Sequence, residues 1–204
     1  MDSMIFDLDG TLWDSSEAIV IIWNKVFQNM KVDVKITKDD IRGIMGLQSH
    51  EIGEKLFPTL DEHKLKQLFD EFAEAEGEYL AKNGGILFDK VEEVLKVLST
   101  KYKLCIVSNC QEGYIEAFYK YHKLEKYFID FENPGRTGLS KGENIQLVMK
   151  RNKLDSPIYV GDTLGDQRAA EFAGVPFVFA EYGFGKVERS DYSIDRFEQL
   201  LEIF

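Results

Sequence analysis

The chain opens with a short apolar run, Met4 to Phe6, that stops at Asp7, and from Asp14 the pattern of apolar positions changes period. Ile19, Ile22, Trp23, Val26 and Phe27 recur at the three- and four-residue steps of one helix face, behind an Asp14/Glu17 pair spaced as a capping box. Residues 4–7 therefore read as a buried strand and the segment after them as an amphipathic helix. Helical spacing continues to about Gly84. Thr37 is placed to cap a short helix ending near Gly46, and Ser49 to cap another. Residues 61–80 put Leu65, Leu68, Phe69, Phe72, Tyr79 and Leu80 on one face, with an acidic run opposite that reads as a solvated surface.

Beyond Gly84-Gly85 strands and helices alternate. Asp89 and Glu92 open a helix that turns Val91, Val94, Leu95 and Leu98 inward, and Lys103 to Val107 is an apolar strand ending at Ser108-Asn109. A helix over 112–122, a strand near 127–131, a helix from Ser140, a strand over 157–160, a helix over 165–173 stopped by Gly174, a strand over 176–180 and a last helix near 195–203 follow. Such alternation implies a parallel sheet covered on both faces, a three-layer Rossmann-like α/β architecture. The pattern divides the chain into a discontinuous α/β core, residues 1–13 and 85–204, and a helical insertion, residues 14–84. There is no internal repeat and no low-complexity segment.

Composition narrows the function classes. The 204 residues suffice for one large domain or a domain with a modest insertion. With 25 basic against 36 acidic residues, a net charge of -11, nucleic acid and anionic membrane are poor candidates as partners. No apolar stretch reaches the roughly 18 residues of a membrane span, and the acidic amino terminus lacks the marks of a signal peptide, so a cytoplasmic location is expected. Cys105 and Cys110 form no CxxC or Cys/His cluster, and Cys110 reads as a small packing residue. His50, His63 and His122 have no partner pattern of a nucleophilic triad.

Polar groups collect where strands end. Asp7 and Asp9 follow the first strand, Ser108 and Asn109 follow 103–107, and Asp162 with Asp166 follow 157–160, the edge at which open parallel sheets bind ligands. Ser140 and Glu143 form a capping box, which puts Lys141 in the first turn of a helix, a place that already favours anions. Asp7, Asp9 and Asp162 offer the all-oxygen surroundings that suit Mg²⁺ together with a substrate phosphate. One aspartate can attack phosphorus to give an aspartyl-phosphate, and its neighbour can serve as general acid and then base. Gly10 lets backbone N–H groups approach phosphate oxygens, while Thr11 and Ser108 supply hydroxyl donors.

Four segments, Phe6-Asp7-Leu8-Asp9-Gly10-Thr11-Leu12, Ile106-Val107-Ser108-Asn109, Ser140-Lys141-Gly142-Glu143-Asn144 and Gly161-Asp162-Thr163-Leu164-Gly165-Asp166, resemble in order the four motifs of the haloacid dehalogenase superfamily. Residues 169–175 and Tyr182-Gly183-Phe184-Gly185 are similar to its phosphoglycolate phosphatase-like branch, and the helical insertion falls where that branch carries a cap domain. The resemblance implies a Mg²⁺-dependent phosphatase acting on a small-molecule phosphate monoester. It makes Asp7 the nucleophile and a metal ligand, and Asp9 the acid/base with its backbone carbonyl on the metal. Ser108, Asn109 and Lys141 would hold the phosphate, Asp162 would bind the metal, and Asp166 would orient metal waters or Lys141.

Inside the superfamily the residues discriminate further. The resemblance implies that dehalogenases lack an acid at the position of Asp9, and no lysine of the insertion is marked for the Schiff base of phosphonate-cleaving relatives. Sugar phosphomutases carry Gly-x-Ser-Arg in the cap loop, against Gly46-Leu47-Gln48-Ser49-His50 here, so a β-phosphoglucomutase-like mutase is the alternative enzyme. A phosphate-responsive, non-catalytic module is the alternative from another class. Arg42, Gln48, Ser49 and His50 in that loop are the candidates for substrate choice, and Gly84-Gly85 is the candidate hinge of a moving lid. The oligomeric state, monomer or weak dimer, is left open.

Overall fold

The computed structural model describes residues 1–204. Its frame is a six-stranded, all-parallel sheet built from β1 (Ser3–Phe6), β4 (Lys103–Val107), β5 (Asp130–Glu132), β6 (Pro157–Gly161), β7 (Phe177–Ala180) and β8 (Tyr192–Ile194). The order is β5-β4-β1-β6-β7-β8, so β1 lies inside the sheet, with Ile5 between Cys105 and Tyr159. A strand flanked on both sides and covered on both faces must be apolar throughout, which is why all four residues of β1 are buried.

Side-chain alternation splits the core into two. Ile5, Cys105, Val107, Tyr159 and Phe177 face α8 (Lys141–Asn152) and α9 (Leu164–Ala173) through Ile145, Val148, Ala169 and Ala170. Met4, Phe6, Leu104, Ile106 and Val160 face α5 (Val91–Leu98), α6 (Tyr114–His122) and the C-terminal Phe197 and Leu200, the latter in α10 (Leu200–Ile203). This second core runs on without a break into the helices between β1 and β4.

Those helices are α1 (Ser16–Met30), α2 (Lys38–Arg42), α3 (Ser49–Leu56) and α4 (Glu62–Asn83). Aromatic packing joins them: Trp23 of α1 stacks flat on Phe72 of α4 at 4.0 Å, and Phe27 meets Phe57 and Phe72 edge-on. The chain leaves and returns through a two-stranded antiparallel pair, β2 (Trp13–Asp14) with β3 (Ile86–Leu87). Gly84 ends α4 at φ +67, and a Cβ there would fall 2.2 Å from Tyr121 Cδ1. Backbone geometry and packing both require glycine at that position.

Several expectations shift. The first strand occupies Ser3–Phe6 instead of 4–7, and the strand expected near 127–131 is Asp130–Glu132, because residues Glu125–Tyr127 form a 3-10 turn. The Asp14/Glu17 capping box does not form: α1 starts at Ser16, whose N–H donates to Asp14 Oδ1 at 2.9 Å. Ser49 lies inside α3, and the preceding residue, Gln48, gives its N–H to Glu51 Oε2 at 2.7 Å. The short helix α7 (Pro134–Thr137) and strand β8 had no counterpart in the sequence reading, and the last helix is confined to Leu200–Ile203. The acidic face of α4 is not wholly solvated either. Glu76 is only 3 % exposed.

Candidate active site

The site starts in the turn that follows β1. Asp7 extends the ladder, its N–H donating to Val160 O at 2.8 Å, and its carboxylate is buried at the carboxyl edge of the sheet. Leu12 N–H then returns to Leu8 O at 2.8 Å, which folds Asp9, Gly10 and Thr11 into one tight turn over the strand end. Gly10 sits at φ +82, and a Cβ on it would come 2.2 Å from Asp162 Oδ2. Its own N–H donates to Trp13 O at 2.9 Å, and the absent side chain makes room for Asp162.

Asp162, at the end of β6, is clamped from two directions. Phe184 N–H donates to its Oδ2 at 2.7 Å and Thr11 Oγ1 lies 3.4 Å from its Oδ1. Gly183 closes the other side, where a Cβ would come within 2.3 Å of Asp162 Cβ. The Tyr182 hydroxyl donates to Thr11 O at 2.8 Å and ties that loop to the first turn.

Lys141 arrives as expected. Ser140 N–H donates to Glu143 Oε2 at 2.8 Å and Glu143 N–H to Ser140 Oγ at 3.3 Å, the two halves of a capping box that opens α8. The buried Lys141 Nζ stands 2.6 Å from Asp166 Oδ1 and 3.0 Å from Asp7 Oδ1. Asp166 has little capacity left over. Its Oδ2 takes Thr163 N–H at 2.9 Å, Thr163 Oγ1 at 2.7 Å and Asp162 N–H at 3.2 Å, and its Oδ1 also takes the Tyr159 hydroxyl at 3.2 Å. It caps α9 and fixes Lys141 at once.

Carboxylate oxygens of Asp7, Asp162 and Asp166 lie within 4.8 Å of one another. Three buried carboxylates against one ammonium leave an excess of negative charge in a low-dielectric place. The consequence is visible in their proton affinities. Burial, reinforced by Asp166, pushes Asp7 up to about 7 even though Lys141 and the Ser108 hydroxyl pull the other way. Burial and the charges of Asp166 and Asp7 push Asp162 well above the ordinary carboxylate range. Lys141 is held protonated by Asp166 and Asp7 against its own desolvation. Excess negative charge and an all-oxygen donor set together fit a small hard divalent cation.

Asp9 is held differently. Its Oδ1 takes hydrogen bonds from Ser15 Oγ at 2.5 Å and from the Tyr114 hydroxyl at 3.0 Å, and that hydroxyl lies 3.0 Å from Ser15 Oγ. Burial pushes Asp9 up to about 6, with the Ser15 and Tyr114 hydroxyls opposing. A carboxyl titrating there is suited to giving and taking a proton near neutrality. Tyr114 was not anticipated, since only the fold brings α6 to the first turn.

Of the remaining candidates, Ser108 is buried at the end of β4. Asn109 turns its Nδ2 to Gly46 O at 2.8 Å and so joins the strand end to the loop before α3, while its buried Oδ1 has no partner. Gln48, Ser49 and His50 line a cavity of about 270 Å³ between that loop and the sheet. A smaller cavity of about 60 Å³, with Asp9 and Asn109 on its wall, lies between the helices and the sheet edge. Arg42 is elsewhere: it pairs with Asp14 at 2.7 Å and lies over the Phe184 ring.

The sequence profile of the haloacid dehalogenase-like hydrolases matches residues 4–180, which includes all four motifs. The chain belongs to that family. As a haloacid dehalogenase-like hydrolase it is 25% identical over 215 residues to the phosphoglycolate phosphatase of Aquifex aeolicus, covering 100% of this chain and 96% of that one. It is 22% identical over 219 residues to the pyrophosphatase PpaX of Bacillus cereus, again covering 100% and 96%. A haloacid dehalogenase-like family hydrolase from Streptococcus pneumoniae superposes with a TM-score of 0.85 at 22% identity, covering 100% and 98% of the two chains. At that identity the superposition speaks for the fold alone.

Proposed function

We propose that this hydrolase is a Mg²⁺-dependent phosphatase that cleaves a small-molecule phosphate monoester, in the manner of the phosphoglycolate phosphatase-like branch, through an aspartyl-phosphate on Asp7. The observation that carries the reading is the Asp7 carboxylate, buried at the strand end 3.0 Å from Lys141 Nζ, with carboxylate oxygens of Asp162 and Asp166 within 4.8 Å. Asp7 and Asp162 would hold the metal with the backbone carbonyl of Asp9, and Asp166, its oxygens already engaged, would fix Lys141. When bound, Mg²⁺ supplies the positive charge that lets an anionic nucleophile approach an anionic phosphate.

The chain's own groups account for the rest. Lys141 and Ser108 hold the phosphate oxygens, with the N-terminus of α8 adding its free N–H groups. Asp7 attacks phosphorus as the ester P–O bond breaks, and Asp9, its carboxyl raised by burial to about 6, gives its proton to the departing alkoxide. The resulting Asp9 carboxylate then takes a proton from the water that attacks phosphorus, which releases inorganic phosphate and restores Asp7. The helical segment 14–84, acting as a cap over this edge, excludes stray water in the first half-reaction. A non-catalytic module has no need of a second carboxyl held by Ser15 and Tyr114.

The test is phosphate release from a panel of monoesters, with and without Mg²⁺, for wild type and Asp7→Asn. Release that needs Mg²⁺ and disappears in Asp7→Asn is expected. Metal-independent release, or full activity in the variant, would remove the reading.

A further inference from the structure

Glu76 stands out among the buried groups that the reaction above does not use. It comes from the middle of α4, yet its carboxylate is enclosed: Trp23 Nε1 donates to Oε1 at 2.6 Å and Gln111 Nε2 donates to Oε2 at 2.8 Å. It sits on the wall of the 60 Å³ cavity that Asp9 also lines, with Ile19, Ile41, Ile44 and Ile52 among the apolar walls. Asp9 is the group that protonates the leaving oxygen in the proposed reaction, so a departing alcohol beside Asp9 would reach into this cavity. Its volume is about twice the share a water molecule takes in the liquid, enough for only a few heavy atoms.

The carboxyls on its wall face no base. No lysine, arginine or histidine lines this cavity, and in the adjoining 270 Å³ cavity His50 is the one side chain able to carry positive charge. Arg42, the cation of the same loop, is spent on Asp14 at 2.7 Å. The polar atoms that remain are acceptors: the Glu76 carboxylate and the buried Asn109 Oδ1, which has no hydrogen-bond partner. An anionic leaving group would meet two carboxyls and no counter-charge, whereas a cationic donor would meet two acceptors at the end of an apolar sleeve.

We propose that Glu76 selects the leaving group, and that the preferred substrate is the phosphate ester of a short amino alcohol whose ammonium binds Glu76. This rests on the phosphatase reading and narrows its substrate class. Enclosure in apolar surroundings pushes Glu76 up to about 8 when nothing cationic is beside it, against the Trp23 and Gln111 hydrogen bonds. An arriving ammonium supplies the counter-charge that lets the carboxylate ionise.

The experiment compares four esters of similar size: 2-aminoethyl, 2-hydroxyethyl, propyl and carboxymethyl phosphate. Wild type is expected to favour 2-aminoethyl over carboxymethyl phosphate by about tenfold or more in kcat/KM, the scale of one charged hydrogen bond. Glu76→Gln, which keeps the shape and removes the charge, should shrink that ratio to about threefold or less. Equal or better use of carboxymethyl phosphate, or an unchanged ratio in Glu76→Gln, overturns the assignment. Dissociation constants measured by calorimetry on Asp7→Asn read the same pocket without turnover. If no ester is hydrolysed the phosphatase reading fails, and the pocket is then judged by affinity: tighter 2-aminoethyl phosphate supports the Glu76 assignment, and tighter or equal carboxymethyl phosphate defeats it.

Discussion

Lys141 Nζ and Asp166 Oδ1 meet at 2.6 Å with side-chain exposures of 4% and 0%. A pair so enclosed is worth little against an apolar alternative, and without Asp166 the ammonium still has Asp7 at 3.0 Å, but the N–H groups of Asp162 and Thr163 and the Thr163 hydroxyl lose their buried acceptor. Asp166 also caps α9 through Thr163. Asp166→Ala should therefore destabilise the protein by about 3–5 kcal/mol, a fall in melting temperature of roughly 10 °C. Activity should drop about 10- to 100-fold, as it does when a group that orients a catalytic partner is lost. Thermal unfolding and phosphate release check both, and a melting temperature within about 2 °C of wild type would deny Asp166 this role.

Without metal, the crowding of acids sets a pH dependence. Burial holds Asp7 at about 7 and Glu76 at about 8, above their ordinary values of 3.8 and 4.5. The folded chain then binds these protons more tightly than the unfolded chain. Their contribution to stability is full below about pH 4, falls as pH rises towards 8, and is lost above it. Unfolding free energies from urea titrations in chelator should decline from pH 5 to pH 8 by an amount on the order of 3–5 kcal/mol, and Glu76→Gln and Asp7→Asn should each flatten the slope. Stability rising with pH over this range in chelator would contradict the burial of these acids.

Magnesium should reverse that trend. A cation held by Asp7 and Asp162 needs both carboxylates ionised, so its affinity rises as they lose their protons. Added Mg²⁺ is expected to raise the melting temperature more at pH 8 than at pH 6, and to do so hardly at all in Asp7→Asn. A shift of equal size in the variant would place the metal elsewhere.

Most of the site's frame is legible in the order of residues because local rules set it. The Ser140/Glu143 box and the Thr37 cap form as their spacing dictates, and the apolar runs 103–107 and 157–160 become strands that deliver Ser108 and Asp162 to one edge. What stays hidden depends on distant partners. Glu76 lies in the run Glu74-Ala75-Glu76-Gly77-Glu78, which by composition belongs in water. Only Trp23 and Gln111, 53 and 35 residues away, make its position tolerable inside. Tyr114 reaches Asp9 across 105 residues of chain. Strand β8 carries two exposed residues of three, Tyr192 and Ser193, and an edge strand so short has no period to read.

Gly183 provides the sharpest check on Asp162, because it separates position from chemistry. The glycine does not need a left-handed backbone, so alanine brings no torsional penalty of the kind expected at Gly10 with its φ of +82. What alanine does bring is a Cβ 2.3 Å from Asp162 Cβ and 2.5 Å from its Oδ2, both closer than atoms can approach. Asp162 must then move, and its bond from Phe184 N–H at 2.7 Å must lengthen or break. A displacement of about 1 Å at a catalytic carboxylate costs roughly 100-fold in rate. Gly183→Ala should thus lose about two decades of phosphate release and most of its Mg²⁺-induced thermal shift, while unfolding in chelator within about 2 kcal/mol of wild type. Activity within about threefold of wild type would mean that the site does not depend on where Asp162 stands.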